Sequence, residues 1–170
     1  TRNTKIKRMT TQMEQILTQF QNLHRGHNWF GQSYQTKLQD LDEEYYFERP
    51  YPEVHSVAEL IAHGTAWRHD AAIKIQTGQG ALTEASEDDW PDRERLKAKG
   101  WEAIYNEYVY SVESLIRSLD DKEDDFLDTI YQDPEFDGEF PISFTIYGIL
   151  QHDLYHLGQL GLVIRMLKEG

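Results

Sequence analysis

The chain has 170 residues, the size of one domain at roughly 100–200 residues each. Its 17 Lys and Arg against 30 Asp and Glu leave a formal charge of −13, which argues against nucleic acid and against anionic membranes, since both select basic surfaces. Cysteine is absent, so disulfide frameworks, thiolate zinc sites, iron–sulfur clusters and a Cys nucleophile are excluded, and any transition metal must be held by His and carboxylates.

The basic start TRNTKIKRMT leads into no apolar signal segment, and no run approaches the roughly 18 apolar residues of a spanning helix, so a cytoplasmic protein with no membrane partner is expected. Met9, Met13, Ile16, Phe20 and Leu23 step by 4, 3, 4 and 3, the apolar stripe of a first helix that Gly26 should interrupt. A shorter continuation places Phe30, Tyr34, Leu38 and Leu41 on one face, and Asp42 to His55, with Pro50 and Pro52, reads as a loop. Ser56-Val57-Ala58-Glu59 then fits a capping box, in which the Ser hydroxyl and the Glu carboxylate satisfy free amide donors reciprocally. The helix it opens is expected over about Val57 to Thr77, ending at Gly78, with Val57, Leu60, Ile61, Gly64, Trp67 and Ala71 buried.

Gly78 to about Pro91 is a long connection. A third helix carries Trp101, Tyr105, Tyr108, Val112, Leu115 and Leu119, alternating steps of 4 and 3 that suit bundle packing. Asp120 to Asp128 reads as a solvated acidic stretch and Asp133 to Pro141 as a second irregular connection. The last helix is expected over about Ile142 to Lys168. With no strand set in evidence, the fold predicted is all-α, a four-helix bundle with long connections, one domain over 1–170 with its core at about 9–168.

The strongest chemical signal lies on the last helix. Ile149, His152, His156, Leu160, Val163 and Leu167 step by 3, 4, 4, 3 and 4, so two histidines interrupt a stripe that should face the core. Residues four apart share a helical face, and two imidazoles placed so can share a metal ion. The alternative is that both histidines hydrogen-bond to Tyr or carboxylate groups. A third ligand is needed, and His63 borders the buried line of the capping-box helix, although taken alone it reads as a satisfied core-edge histidine. His24, His27, His55 and His69 look more solvated, and Asp153, about 100° around the helix from the two histidines, is expected to be exposed. Three histidines from two packed helices would leave open coordination positions, as reactive metal sites do.

Two other patterns fail. Asp133 to Gly138 imitates the start of an EF-hand loop, but Phe144 stands where the bidentate Glu is required. No Glu-x-x-His, the mark of ferritin-like di-iron sites, occurs anywhere.

The run His152-Asp153-Leu154-Tyr155-His156-Leu157-Gly158-Gln159-Leu160 resembles the HxxxHxGQL signature of the DinB/YfiT-like superfamily, and Ser56 to His63 followed by Trp67 resembles that family's helix-start-to-histidine segment. The resemblance extends from about Met9 to Lys168. It implies a divalent metal, commonly zinc or nickel, on His63, His152 and His156, and a homodimer. Relatives include S-transferases and isomerases that use low-molecular-weight thiols such as bacillithiol, mycothiol or glutathione, others described as metal-dependent hydrolases, and many without known activity.

The leading expectation is therefore a thiol-dependent S-transferase acting on small electrophiles, with a thiol as co-substrate. The alternatives are a hydrolase using metal-bound water, whose pKa a catalytic zinc lowers to about 7, and a non-enzymatic, metal-stabilised binding module. Glu59, one turn before His63, is a candidate base or a partner behind the ligands, its capping role being the simpler account. Trp29, Phe30, Tyr45, Tyr46 and Phe47 exceed what one bundle core can absorb, which points to a dimer interface or to a cap over the metal pocket.

Overall fold

The computed structural model describes residues 10–39 and 41–169; Met9 and the basic start of the chain lie outside them. Four long helices form the bundle: α1 (Gln12–Arg25), α3 (Val57–Thr77), α5 (Trp101–Leu119) and α6 (Ile142–Glu169). Short helices α2 (Tyr34–Leu38) and α4 (Arg93–Lys99) and a hairpin of β1 (Ile130–Asp133) and β2 (Gly138–Pro141) fill the connections. Helix α3 lies at the centre, packed against both α5 and α6, while α1 closes the other side against the same two helices.

Local chemistry explains the helix ends. Ser56 and Glu59 make the reciprocal cap at the start of α3, and Gly78 ends it in the left-handed conformation at φ 71°, where a side chain would be strained. Thr11 and Glu14 make a second capping box on α1. Two further amides of that helix, those of Gln12 and Met13, donate to the Asp124 carboxylate at 3.1 and 2.8 Å, so the acidic stretch, solvated as expected, also anchors α1 through this one residue. Gly100, at φ 84°, separates α4 from α5, a break the apolar stripe alone did not mark.

The core falls into two clusters along the bundle, with the partly buried Ile116 and Leu150 packed against both. One half gathers Leu23, Tyr34, Leu38, Ile61, Ile104, Tyr108, Val112 and Leu160, the other Met13, Ile16, Phe20, Ala71, Ile75, Leu115 and Ile146.

Several expectations are corrected. Residues 133–141 are irregular only at the turn 134–137: on either side of it β1 and β2 pair antiparallel with Tyr131 opposite Phe140, and the four-residue strands are too short for their alternation to stand out. Phe30 lies outside α2 and is half exposed. Trp67 is only partly buried, because it borders a cavity. Asp153 and His24, both expected in solvent, are completely buried, at 0% exposure each. Helix α6 is buried on two faces in its middle, against α3 on one side and α1 and α2 on the other, so a polar residue off the His face still points inward. Among the described residues, no helix is long and apolar enough to cross a membrane.

Candidate metal centre

Helix α3 presents His63 and helix α6 presents His152 and His156 to a single point. The Nε2 atom of His152 lies 3.0 Å from Nε2 of His63 and 3.1 Å from Nε2 of His156. The fourth-residue spacing on α6 brings the latter two rings to 4.3 Å between centroids, and His63 meets them at 4.9 and 4.7 Å.

What lies behind the rings fixes which nitrogen is free. The Nδ1–H of His63 donates to the carbonyl of Asp89 at 2.7 Å, and that of His156 donates to Oε1 of Gln159 at 2.6 Å. Both rings therefore turn an Nε2 lone pair toward the centre. One proton on His152 Nε2 could serve only one of the two close contacts well, whereas a cation would serve both. Two nitrogens bound at about 2.0–2.1 Å to one ion stand about 3 Å apart, which is the spacing here. The donor set fits a divalent metal.

Electrostatics agree with that fit. Burial, the largest effect at each ring, pushes His63 down to about 4 and His152 down to about 3, with charge on His156 acting the same way, and burial also lowers His156. All three rings are neutral at pH 7 and have lone pairs to give.

The connection after α3 clamps His63. Trp90 stacks on the ring at 3.8 Å and 5°, with His55 stacked on its other face at 3.8 Å. The Asp89 carboxylate lies 3.1 Å from His63 Nδ1 and accepts from Trp67 Nε1 at 2.7 Å. A cavity of about 550 Å³ opens beside His63 and His152. Trp67, Trp90, Phe136 and Phe144 supply its aromatic lining, with Asp70, Lys74 and Asp133 among the polar residues of its wall. Lys74 is buried between Asp70 and Asp133, at 3.0 and 3.1 Å, so it ties α3 to the hairpin.

Glu59 does not line this cavity. Its carboxylate accepts from Ser56 and pairs with Arg49. Burial would raise it, but the hydrogen bonds from Arg49 and Ser56 outweigh burial and bring it to about 2, too acidic for a base near neutral pH. Tyr45, Tyr46 and Phe47 pack against the core rather than over the cavity, Tyr46 stacking on Trp101 at 4.1 Å. His27 and His69 stand apart from the centre, and His24 belongs to a separate network with Asp153.

Sequence reasoning missed the groups behind the ligands. Gln159 carried a usable signal, being three residues after His156 on the same helix; Asp89 and Trp90 carried none, since a loop brings them in.

Among solved structures, the crystal structure of the mycothiol-dependent maleylpyruvate isomerase is similar in fold, with a TM-score of 0.64 and 19% sequence identity. The similarity covers 90% of this chain and 64% of that chain, so the protein spans somewhat under two-thirds of the enzyme's length. A histidine-to-alanine variant of the same enzyme superposes with a TM-score of 0.59, again at 19% identity and over 90% and 64% of the two chains. No curated protein matches the sequence. The family model of the DinB superfamily matches residues 30–160, which take in all three histidines of the centre, and the chain belongs to that superfamily.

Proposed function

We propose that the protein is a metal-dependent enzyme that holds a divalent cation, zinc or nickel, on His63, His152 and His156 and transfers a low-molecular-weight thiol to a small electrophile. The observation that carries the reading is the convergence of three Nε2 atoms on neutral rings, that of His152 lying 3.0 Å from His63 and 3.1 Å from His156, beside a cavity of about 550 Å³ lined by His63 and His152. A divalent ion there would deprotonate a coordinated thiol and so supply a nucleophile at neutral pH. The chain's own part is to hold and orient. Asp89 and Gln159 lock the ring tautomers, Trp90 braces His63, and the aromatic wall of Trp67, Phe136 and Phe144 offers an apolar bed for an electrophile. Having no cysteine, the protein must take its thiol from solution. The structural neighbour's mycothiol dependence supports the same reading.

Self-association into a homodimer belongs to the proposal. Trp29 is fully exposed and Phe30, Leu154 and Leu162 are exposed nearby in sequence or along α6, surface that a symmetric partner would cover.

The test is thiol consumption by metal-loaded protein against a panel of small electrophiles, using cysteine, glutathione, mycothiol and bacillithiol. Turnover that disappears in His152→Ala supports the proposal. Hydrolysis of ester or amide substrates without any thiol would replace it with the hydrolase reading, and metal binding with neither activity would leave a binding module.

A further inference from the structure

On the far side of α6 from the triad lies a second cluster of polar groups, wholly enclosed. Arg68, Asp153, His24 and Ser111 have 0% exposure, and Tyr34 and Tyr108 are buried beside them. Arg68 Nη1 donates to Asp153 Oδ1 at 2.5 Å, and its Nε donates to Ser111 Oγ at 2.9 Å. His24 Nε2 lies 3.0 Å from Asp153 Oδ2. A carboxylate can only accept, so Nε2 carries the hydrogen and Nδ1 accepts from the Tyr108 hydroxyl at 3.1 Å. Tyr34 donates to the Asp153 backbone carbonyl at 2.8 Å. Gly64 leaves room for the guanidinium, since a Cβ there would stand 3.0 Å from Arg68 Nη1. Five helices (α1, α2, α3, α5 and α6) thus share one network around Asp153, and two of them, α1 and α3, bond its carboxylate directly.

Nothing in this cluster touches the cavity, and a buried ion pair is a poor source of stability. The desolvation of both ions offsets most of their attraction, and apolar replacements are often neutral or better. What such a pair can do is choose one arrangement among several of similar energy. Its position says which arrangement. Asp153 follows His152 directly on α6, and Arg68 is five residues after His63 on α3. The pair therefore joins the two helices that carry the triad, next to its ligands.

The geometry points to Arg68, Asp153 and His24 as positioning residues that set the rotation of α6 against α3, and thereby the alignment of His152 and His156 with His63. A 10° turn of α6 would carry a group at the helix surface, about 5–6 Å from the axis, by about 1 Å. Metal sites tolerate about 0.2 Å. An aliphatic contact in place of the ion pair would leave such a turn unopposed. The cluster requires one rotation, because two hydrogen bonds reach the two oxygens of one carboxylate from different helices.

This inference rests on the metal reading above, and the experiment separates the two. Full-length protein and the triple variant Arg68→Met/His24→Leu/Asp153→Leu are titrated with Co²⁺, following affinity and the visible absorption bands, beside thermal melts. The expected result is a folded triple variant with parental helicity that binds Co²⁺ at least about 10-fold more weakly, with altered bands. Arg68→Lys, which keeps the charge but loses the forked geometry, should also alter the bands. Parental affinity and parental bands in the folded triple variant would overturn the inference. Should the triple variant not fold, unchanged bands in Arg68→Lys would overturn it. A parent protein that binds no Co²⁺ would defeat the metal reading itself, and this inference with it.

Discussion

Acidifying the metal-free protein from pH 7 to pH 5 should destabilise it through the His triad, before most carboxylates titrate. Burial holds His63 down at about 4 and His152 at about 3, against an ordinary value of 6.5. The unfolded chain takes up protons at both positions as the pH falls through 6.5, while the folded chain refuses them. Because the folded value is the lower one, the stability is fully present above pH 6.5 and is lost progressively toward pH 4. At pH 5 about 1.5 pH units separate each ring from its unfolded value, which at about 1.36 kcal/mol per unit is about 2 kcal/mol per ring. Together the two rings give roughly 4 kcal/mol, and the lowered value of His156 acts in the same direction. For a chain of this size the loss corresponds to a melting temperature lower by about 8–16 °C. Circular dichroism melts in chelator at the two pH values measure it, with His63→Gln/His152→Gln as the comparison. A drop below about 2 °C, or an equal drop in the variant, would refute the assignment to these rings.

Removing the metal from loaded protein should lower the melting temperature without loss of helical circular dichroism at room temperature, because the two halves of the apolar core hold the bundle together; unfolding on chelation would contradict this. Arg68→Ala strands the Asp153 carboxylate in the interior and should cost about 3–5 kcal/mol, a fall of roughly 6–20 °C in thermal melts. Sedimentation at micromolar concentration should find a dimer that Trp29→Glu/Phe30→Glu dissociates; a single species near 20.0 kDa in the parent would exclude it.

Much of the bundle could be read from the sequence because its signals are local. Ser56, Glu59 and Gly78 delimit α3 by capping chemistry confined to a few residues, and the steps through Ile149, His152, His156 and Leu160 follow from one helical period. The place of His63 beside the buried line of α3 made it the candidate third ligand, but the family resemblance was needed to favour it, since nothing local says which faces of α3 and α6 meet. Asp153 was misread for a related reason. A single-face picture of α6 sends every polar residue off the His stripe into water, whereas a helix packed on two sides buries that residue against Arg68 and His24. Asp89, Trp90 and the hairpin were illegible because their positions depend on where loops fold back, through contacts such as those of Lys74 with Asp70 and Asp133.

Everything proposed for the site depends on His63, His152 and His156 holding one divalent ion. Elemental analysis of the full chain, purified without chelating resin, tests it most directly. The expected result is about one equivalent of zinc or nickel per chain, lost in His63→Ala, His152→Ala and His156→Ala while the helical signal persists. A metal-free parent protein, or full metal content retained in the His152→Ala and His156→Ala variants, would contradict it.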